Sequence, residues 1–83
     1  MTLLYFAWVR QKVGTSEEQV ELPADVVTVG DLIAHLRSRG GGHADAFADP
    51  ARLRAAVDQE HVSFDAAIDS ADEVAFFPPV TGG

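Results

Sequence analysis

Four sets of residues have types that could do chemistry. His35, His43 and His61 lie 8 and 18 residues apart, and none has a ligand-type partner three or four residues on along a helix. A zinc site needs such pairs or a tight cluster, so the three read as partly exposed polar side chains. Gly40-Gly41-Gly42 has the look of a phosphate loop, but phosphate loops lie between a strand and a helix N-terminus, and these glycines follow a helix end. The acidic residues are scattered through turns and an exposed helix face, with no pair held for acid–base work. The fourth set is Pro78-Pro79-Val80-Thr81-Gly82-Gly83. Two prolines keep the segment extended, and six residues reach about 20 Å, enough to thread a pocket of another protein. Gly82 and Gly83 have no side chains, so they can pass a narrow channel and bring the Gly83 carboxylate to a reacting centre. A chance ending in two glycines is expected in roughly 0.5% of chains.

The elements that would position this segment follow from hydrophobic patterning. Leu3–Val9 is apolar throughout and reads as a doubly buried strand, followed by a polar helical turn or loop ending at Gly14. Gln19–Leu22 alternates and closes at Pro23, predicting a second strand antiparallel to the first. Thr28 and Asp31 form a variant capping box for a helix carrying Leu32, Ile33 and Leu36, with Arg37 and Arg39 in its last turn and the glycines as its stop. His43–Arg52 reads as a loop with at most one helical turn. Ala55–Val57 and His61–Phe64 flank a polar turn and predict a hairpin. Glu73–Phe77 is the last strand, ended by Pro78-Pro79. Side chains alternate along it, so Val74 and Phe76 share one face, and Ala75 and Phe77 the other. One helix covers one face of a small sheet. Phe76 is therefore assigned to the core, and Phe77 to the outside near His61, at the root of the tail, as anchors for a partner.

Composition narrows the function class. The chain has 83 residues, 47% of them hydrophobic, which fits a single domain, here residues 1–77 with the tail at 78–83. It has no cysteine, which removes disulfides, thiolate metal sites and cysteine nucleophiles. Thirteen acidic residues against six basic ones give a net charge of −7, so nucleic acid is not an expected partner. The longest apolar run is too short to span a bilayer and lacks the flanks of a signal peptide, so no membrane association is expected and the cytoplasm is the expected compartment. As an enzyme acting alone, the chain offers no acid, base or nucleophile.

The order β-β-α-β-β-β, an α+β layout with a mixed sheet, one main helix across one face and an extended Gly-Gly end, resembles the ubiquitin-like β-grasp fold. The run Asp72-Glu73-Val74-Ala75-Phe76-Phe77-Pro78-Pro79-Val80-Thr81-Gly82-Gly83 resembles the close of the molybdopterin synthase small-subunit family. Tyr5-Phe6-Ala7-Trp8-Val9-Arg10 with Gly14, Ala55-Ala56-Val57 and Val62-Ser63-Phe64-Asp65 are similar to further stretches of that family. Gln11 stands where a glutamate is usual, and Asp58 where an asparagine is common.

That resemblance implies a sulfur carrier rather than a catalyst. An E1-like activating enzyme would adenylate Gly83 with ATP, the chain itself holding no cofactor and no metal, and a sulfur atom would then replace AMP to leave a thiocarboxylate. Docked into the large subunit, with Gly82, Thr81, Val80, Pro79 and Pro78 threading the channel, it would deliver sulfur to cyclic pyranopterin monophosphate. Two small subunits would flank a dimer of large ones. Other readings are a sulfur carrier for thiazole synthesis, a ubiquitin-like modifier joined to lysines, and an interaction module with an inert tail.

Overall fold

The computed structural model describes residues 1–79. In chain order the elements are β1 (Thr2–Tyr5), α1 (Ala7–Val13), β2 (Glu17–Gln19), α2 (Val29–Ser38), α3 (Gly41–Ala46), a 3-10 turn at Pro50–Arg52, β3 (Arg54–Val57), β4 (Glu60–Val62) and β5 (Glu73–Phe77). The five strands form one mixed sheet in the order β2-β1-β5-β3-β4. β1 and β5 run parallel, and the other neighbours are antiparallel. Among the described residues, no helix is long and apolar enough to cross a membrane.

The core lies between the inner face of this sheet and the helices. Leu3, Tyr5, Ala55, Val74 and Phe76 from the strands meet Val9 of α1, the Leu32, Ile33 and Leu36 row of α2, and Phe47 behind α3. The α2 row is the period expected of an amphipathic helix, and its start is the expected capping box. The Asp31 amide donates to Thr28 Oγ1 (3.1 Å), while Asp31 Oδ2 accepts from the Thr28 and Val27 amides (both 3.1 Å). The amide bonds from Val27 and Thr28 hold the Asp31 carboxyl below its ordinary pKa. The β3–β4 hairpin is also where the sequence puts it. Asp58 and Gln59 take positive φ at its tip, and Asp58 Oδ1 accepts from the Asp72 and Glu73 amides (both 3.0 Å), tying the hairpin to the start of β5.

Three expectations are corrected. The first strand ends at Tyr5, and Ala7–Val13 is helix, so the read strand Leu3–Val9 is half strand and half helix. A continuous apolar run has no period to tell the two apart. Val9 and Val13, four residues apart, turn inward, and Gly14 (φ 95°) closes the helix in the left-handed conformation that glycine adopts without cost. Gln11 therefore sits in α1. The second strand is Glu17–Gln19 rather than Gln19–Leu22, because the inward position preceding Val20 is the carboxylate Glu18, which apolar alternation does not register. Finally, the three glycines do more than stop α2, and His43–Arg52 is more ordered than a loop. Gly41 and Gly42 open α3, and a Cβ on Gly42 would collide with the Lys12 carbonyl oxygen of α1. The two short helices can pack this closely only because residue 42 has no side chain.

Candidate functional site

The segment singled out by the sequence leaves from β5, the central strand. Parallel pairing sets Tyr5 of β1 beside Phe76, and antiparallel pairing sets Arg54 of β3 beside Phe77. The Phe6 amide donates to the Phe76 carbonyl (3.1 Å), so the strand is held on the β1 side up to its last turn of pleat. Phe76 is fully buried, its ring edge-on to Phe47 with centroids 4.9 Å apart. The root of the tail is thus fixed by backbone bonds and by a core anchor. Pro78 and Pro79 follow, both half-buried; Val80, Thr81, Gly82 and Gly83 lie outside the described residues.

Phe77 is half-exposed on the face that no helix covers, and its ring lies 5.0 Å from that of the exposed His61. Beside them runs the in-register row Leu4, Ala75, Ala56 and His61. Ala75 and Ala56 are only 6% exposed. The result is a shallow apolar strip leading to the tail root.

The sequence reading missed what stands on the other side of that root. Phe6, absorbed there into a buried strand, is 48% exposed. It precedes Ala7, which takes φ +53°, a left-handed backbone that costs a residue with a Cβ roughly 1–2 kcal/mol. Trp8 is half-buried under the guanidinium of Arg52, whose carbon sits 5.0 Å from the ring centroid. Chain separation hides this pair; an aromatic next to a cation is visible in sequence only when the two are close.

The other titratable cluster lies on the helix side. Glu18 Oε1 accepts from the Tyr5 hydroxyl (2.8 Å) and lies 2.9 Å from His43 Nε2, and its Oε2 pairs with Arg39 (2.9 Å). Burial opposes ionisation of Glu18, but the hydrogen bonds from Arg39, His43 and Tyr5 outweigh it and bring its pKa to about 2. Burial, then the bond to Glu18, pushes the Tyr5 hydroxyl far above its ordinary value. All of these donors are satisfied by one carboxylate, so the cluster fastens β1, β2, α2 and α3 together rather than offering a reactive group. His35 is half-buried on α2 and stands apart from it. Among the described residues no three His, Cys, Asp or Glu side chains converge as metal ligands.

Comparison with known proteins covers the whole chain. The model of the ThiS family matches residues 3–83. The molybdopterin synthase sulfur carrier subunit of Escherichia coli (strain K12) is 48% identical over 81 residues, 98% of this chain and 96% of that protein. A solved structure from Pyrococcus furiosus, titled as a candidate molybdopterin converting factor subunit 1, superimposes with a TM-score of 0.75 at 34% identity, covering 95% of each chain. SAMP1 of Haloferax volcanii does so with a TM-score of 0.71 at 26% identity, covering 100% of this chain and 98% of that one.

Proposed function

The chain belongs to the ThiS family, with a ubiquitin-like β-grasp fold, and from that membership we propose that it is a sulfur carrier of molybdopterin synthesis whose reacting group is the Gly83 carboxylate. The observation that carries the reading is the end-to-end similarity to the Escherichia coli sulfur carrier subunit, within a family match that runs through Gly82 and Gly83.

A carboxylate is a poor electrophile, since its charge is delocalised and an oxide leaves badly. Activation by an E1-like enzyme solves this: a Gly83 oxygen attacks the α-phosphorus of ATP, pyrophosphate leaves, and the acyl-adenylate has AMP as a good leaving group. ATP is held by that enzyme, not by this chain. Sulfide-level sulfur then displaces AMP, and the resulting thiocarboxylate is docked into the large subunit of molybdopterin synthase, where its sulfur bonds to cyclic pyranopterin monophosphate and water cleaves the acyl–sulfur bond, returning the Gly83 carboxylate. In the assembled synthase two copies of this chain flank a dimer of large subunits.

The chain's own part is positioning. The buried Phe76 and the backbone bonds on both sides of β5 keep the origin of the tail in place. Pro78 and Pro79 narrow the directions it can take, and the missing side chains of Gly82 and Gly83 leave room for an enclosing channel. Phe77 and His61 supply apolar surface where the large subunit closes over the root.

The test is the intact mass of the chain after incubation with its activating enzyme, ATP and a sulfur source. The parent chain gains about 16 Da, sulfur for oxygen. The chain lacking Gly83 gains nothing while melting like the parent, because the deletion lies beyond β5. Molybdopterin formation supported by the Gly83-deleted chain would overturn the reading.

A further inference from the structure

Arg52 is an exposed arginine resting on an aromatic ring. The carbon of its guanidinium sits over the Trp8 ring, 5.0 Å from the centroid, and among the described residues no carbonyl or carboxylate accepts from it. Asp49, the acid nearest in sequence, is occupied as the cap of the 3-10 turn, its Oδ1 accepting from the Ala51 amide (3.2 Å). The neighbouring Arg54 is different, because its Nη1 is folded back onto the Leu53 carbonyl (2.8 Å). Among the described residues Arg52 shares with the exposed Arg10 and Arg37 the lack of a carboxylate partner, and what sets it apart is the aromatic ring beneath it. A cation resting on an aromatic ring has a physical effect: the contact restricts the side chain beforehand and so reduces the entropy lost when an acceptor binds.

The location gives this arrangement a use. Trp8 is two residues after Phe6, whose amide bonds the Phe76 carbonyl at the end of β5. Arg52 is two residues before Arg54, which pairs with Phe77. Each member of the pair is therefore two residues along the chain from a strand partner of the tail root, with exposed Phe6 and left-handed Ala7 leading into Trp8. A protein that engages the tail from Pro78 onward must come close to this end of the sheet.

We propose that Trp8 and Arg52 form a preorganised docking point for a carboxylate side chain on the large subunit that receives the tail, an acidic contact on the partner of a chain that is itself strongly acidic. The proposal rests on the tail-delivery reading above. The bond is the two-pronged pairing of guanidinium with carboxylate, and its function is to set the rotation of the small chain about the tail axis.

Calorimetric titration of the full-length chain against its own large subunit, at low and high NaCl, tests this. Arg52→Glu is expected to weaken binding at least about tenfold although it makes the chain more negative overall, and Arg52→Gln to weaken it less and flatten the salt dependence. Trp8→Leu, which frees the guanidinium, falls between. All three are compared with the parent by thermal melting, and Arg52→Gln, a neutral change at an exposed position, retains the fold. Parent-like or tighter binding by Arg52→Glu, with Phe77→Ala still weakened, overturns the carboxylate contact and leaves tail delivery standing. Parent-like binding by both Phe77→Ala and the Gly83-deleted chain overturns tail delivery itself.

Discussion

Phe76 and Phe77 are adjacent in sequence and have opposite surroundings, so truncating each to alanine separates folding from binding. Phe76 is fully buried and edge-on to Phe47. Removing a buried phenylalanine ring costs roughly 3–5 kcal/mol, the transfer free energy plus the cavity that the walls cannot fill. A domain of this size has a total stability of only about 4–12 kcal/mol. At about 4–8 °C per kcal/mol, Phe76→Ala is expected to melt at least about 12 °C below the parent. Phe77 is half-exposed and its main aromatic neighbour is His61, itself exposed, so Phe77→Ala gives up a ring pair worth about 0.5–1.5 kcal/mol and little else. Its melting point is expected to fall by a few degrees. Binding to the large subunit is expected to weaken at least about tenfold, or 1.4 kcal/mol, because an aromatic at the centre of a docking surface is where interface energy concentrates. Differential scanning calorimetry and titration calorimetry on both variants decide the matter. A Phe77→Ala chain that melts as low as Phe76→Ala would refute the assignment of faces, and one that binds like the parent would refute the interface.

Two further outcomes follow from the packing and the charges. Gly42→Ala is expected to destabilise by about 2 kcal/mol or more in chemical denaturation, opposite in sign to the ~1 kcal/mol that the same change gains in an open helix, because the added methyl meets the Lys12 carbonyl. Glu18 has a folded pKa of about 2 against an ordinary 4.5, so the stability it contributes is complete above that ordinary value and is lost as the pH falls toward 2. Glu18→Gln is expected to cost about 1 kcal/mol at neutral pH, after allowing for solvent screening, with the stability curves of variant and parent converging in acid.

What could be read from the sequence, and what could not, divides by the range of the interactions. The capping box of α2, the β3–β4 hairpin and the opposed faces of β5 depend on residues at most seven apart, and each is found where local pattern puts it. The α1 helix is hidden because its first half shares a featureless apolar run with β1. Glu18 is hidden for a different reason. Its donors Tyr5, Arg39 and His43 come from three separate elements, and a carboxylate turned inward is favourable only when all three are present. Alternation counts it as outward and shifts the strand. The same applies at the tail. The chemistry proposed for it is legible because glycine and proline act through their own backbones, wherever the rest of the chain lies. The surface proposed to guide it is assembled from β1, α1, the 3-10 turn, β3 and β5, with the parallel pairing of the first and last strands at its centre. That pairing sets β1 beside β5, so the residues proposed to position the reacting group are also those whose proximity only the fold creates.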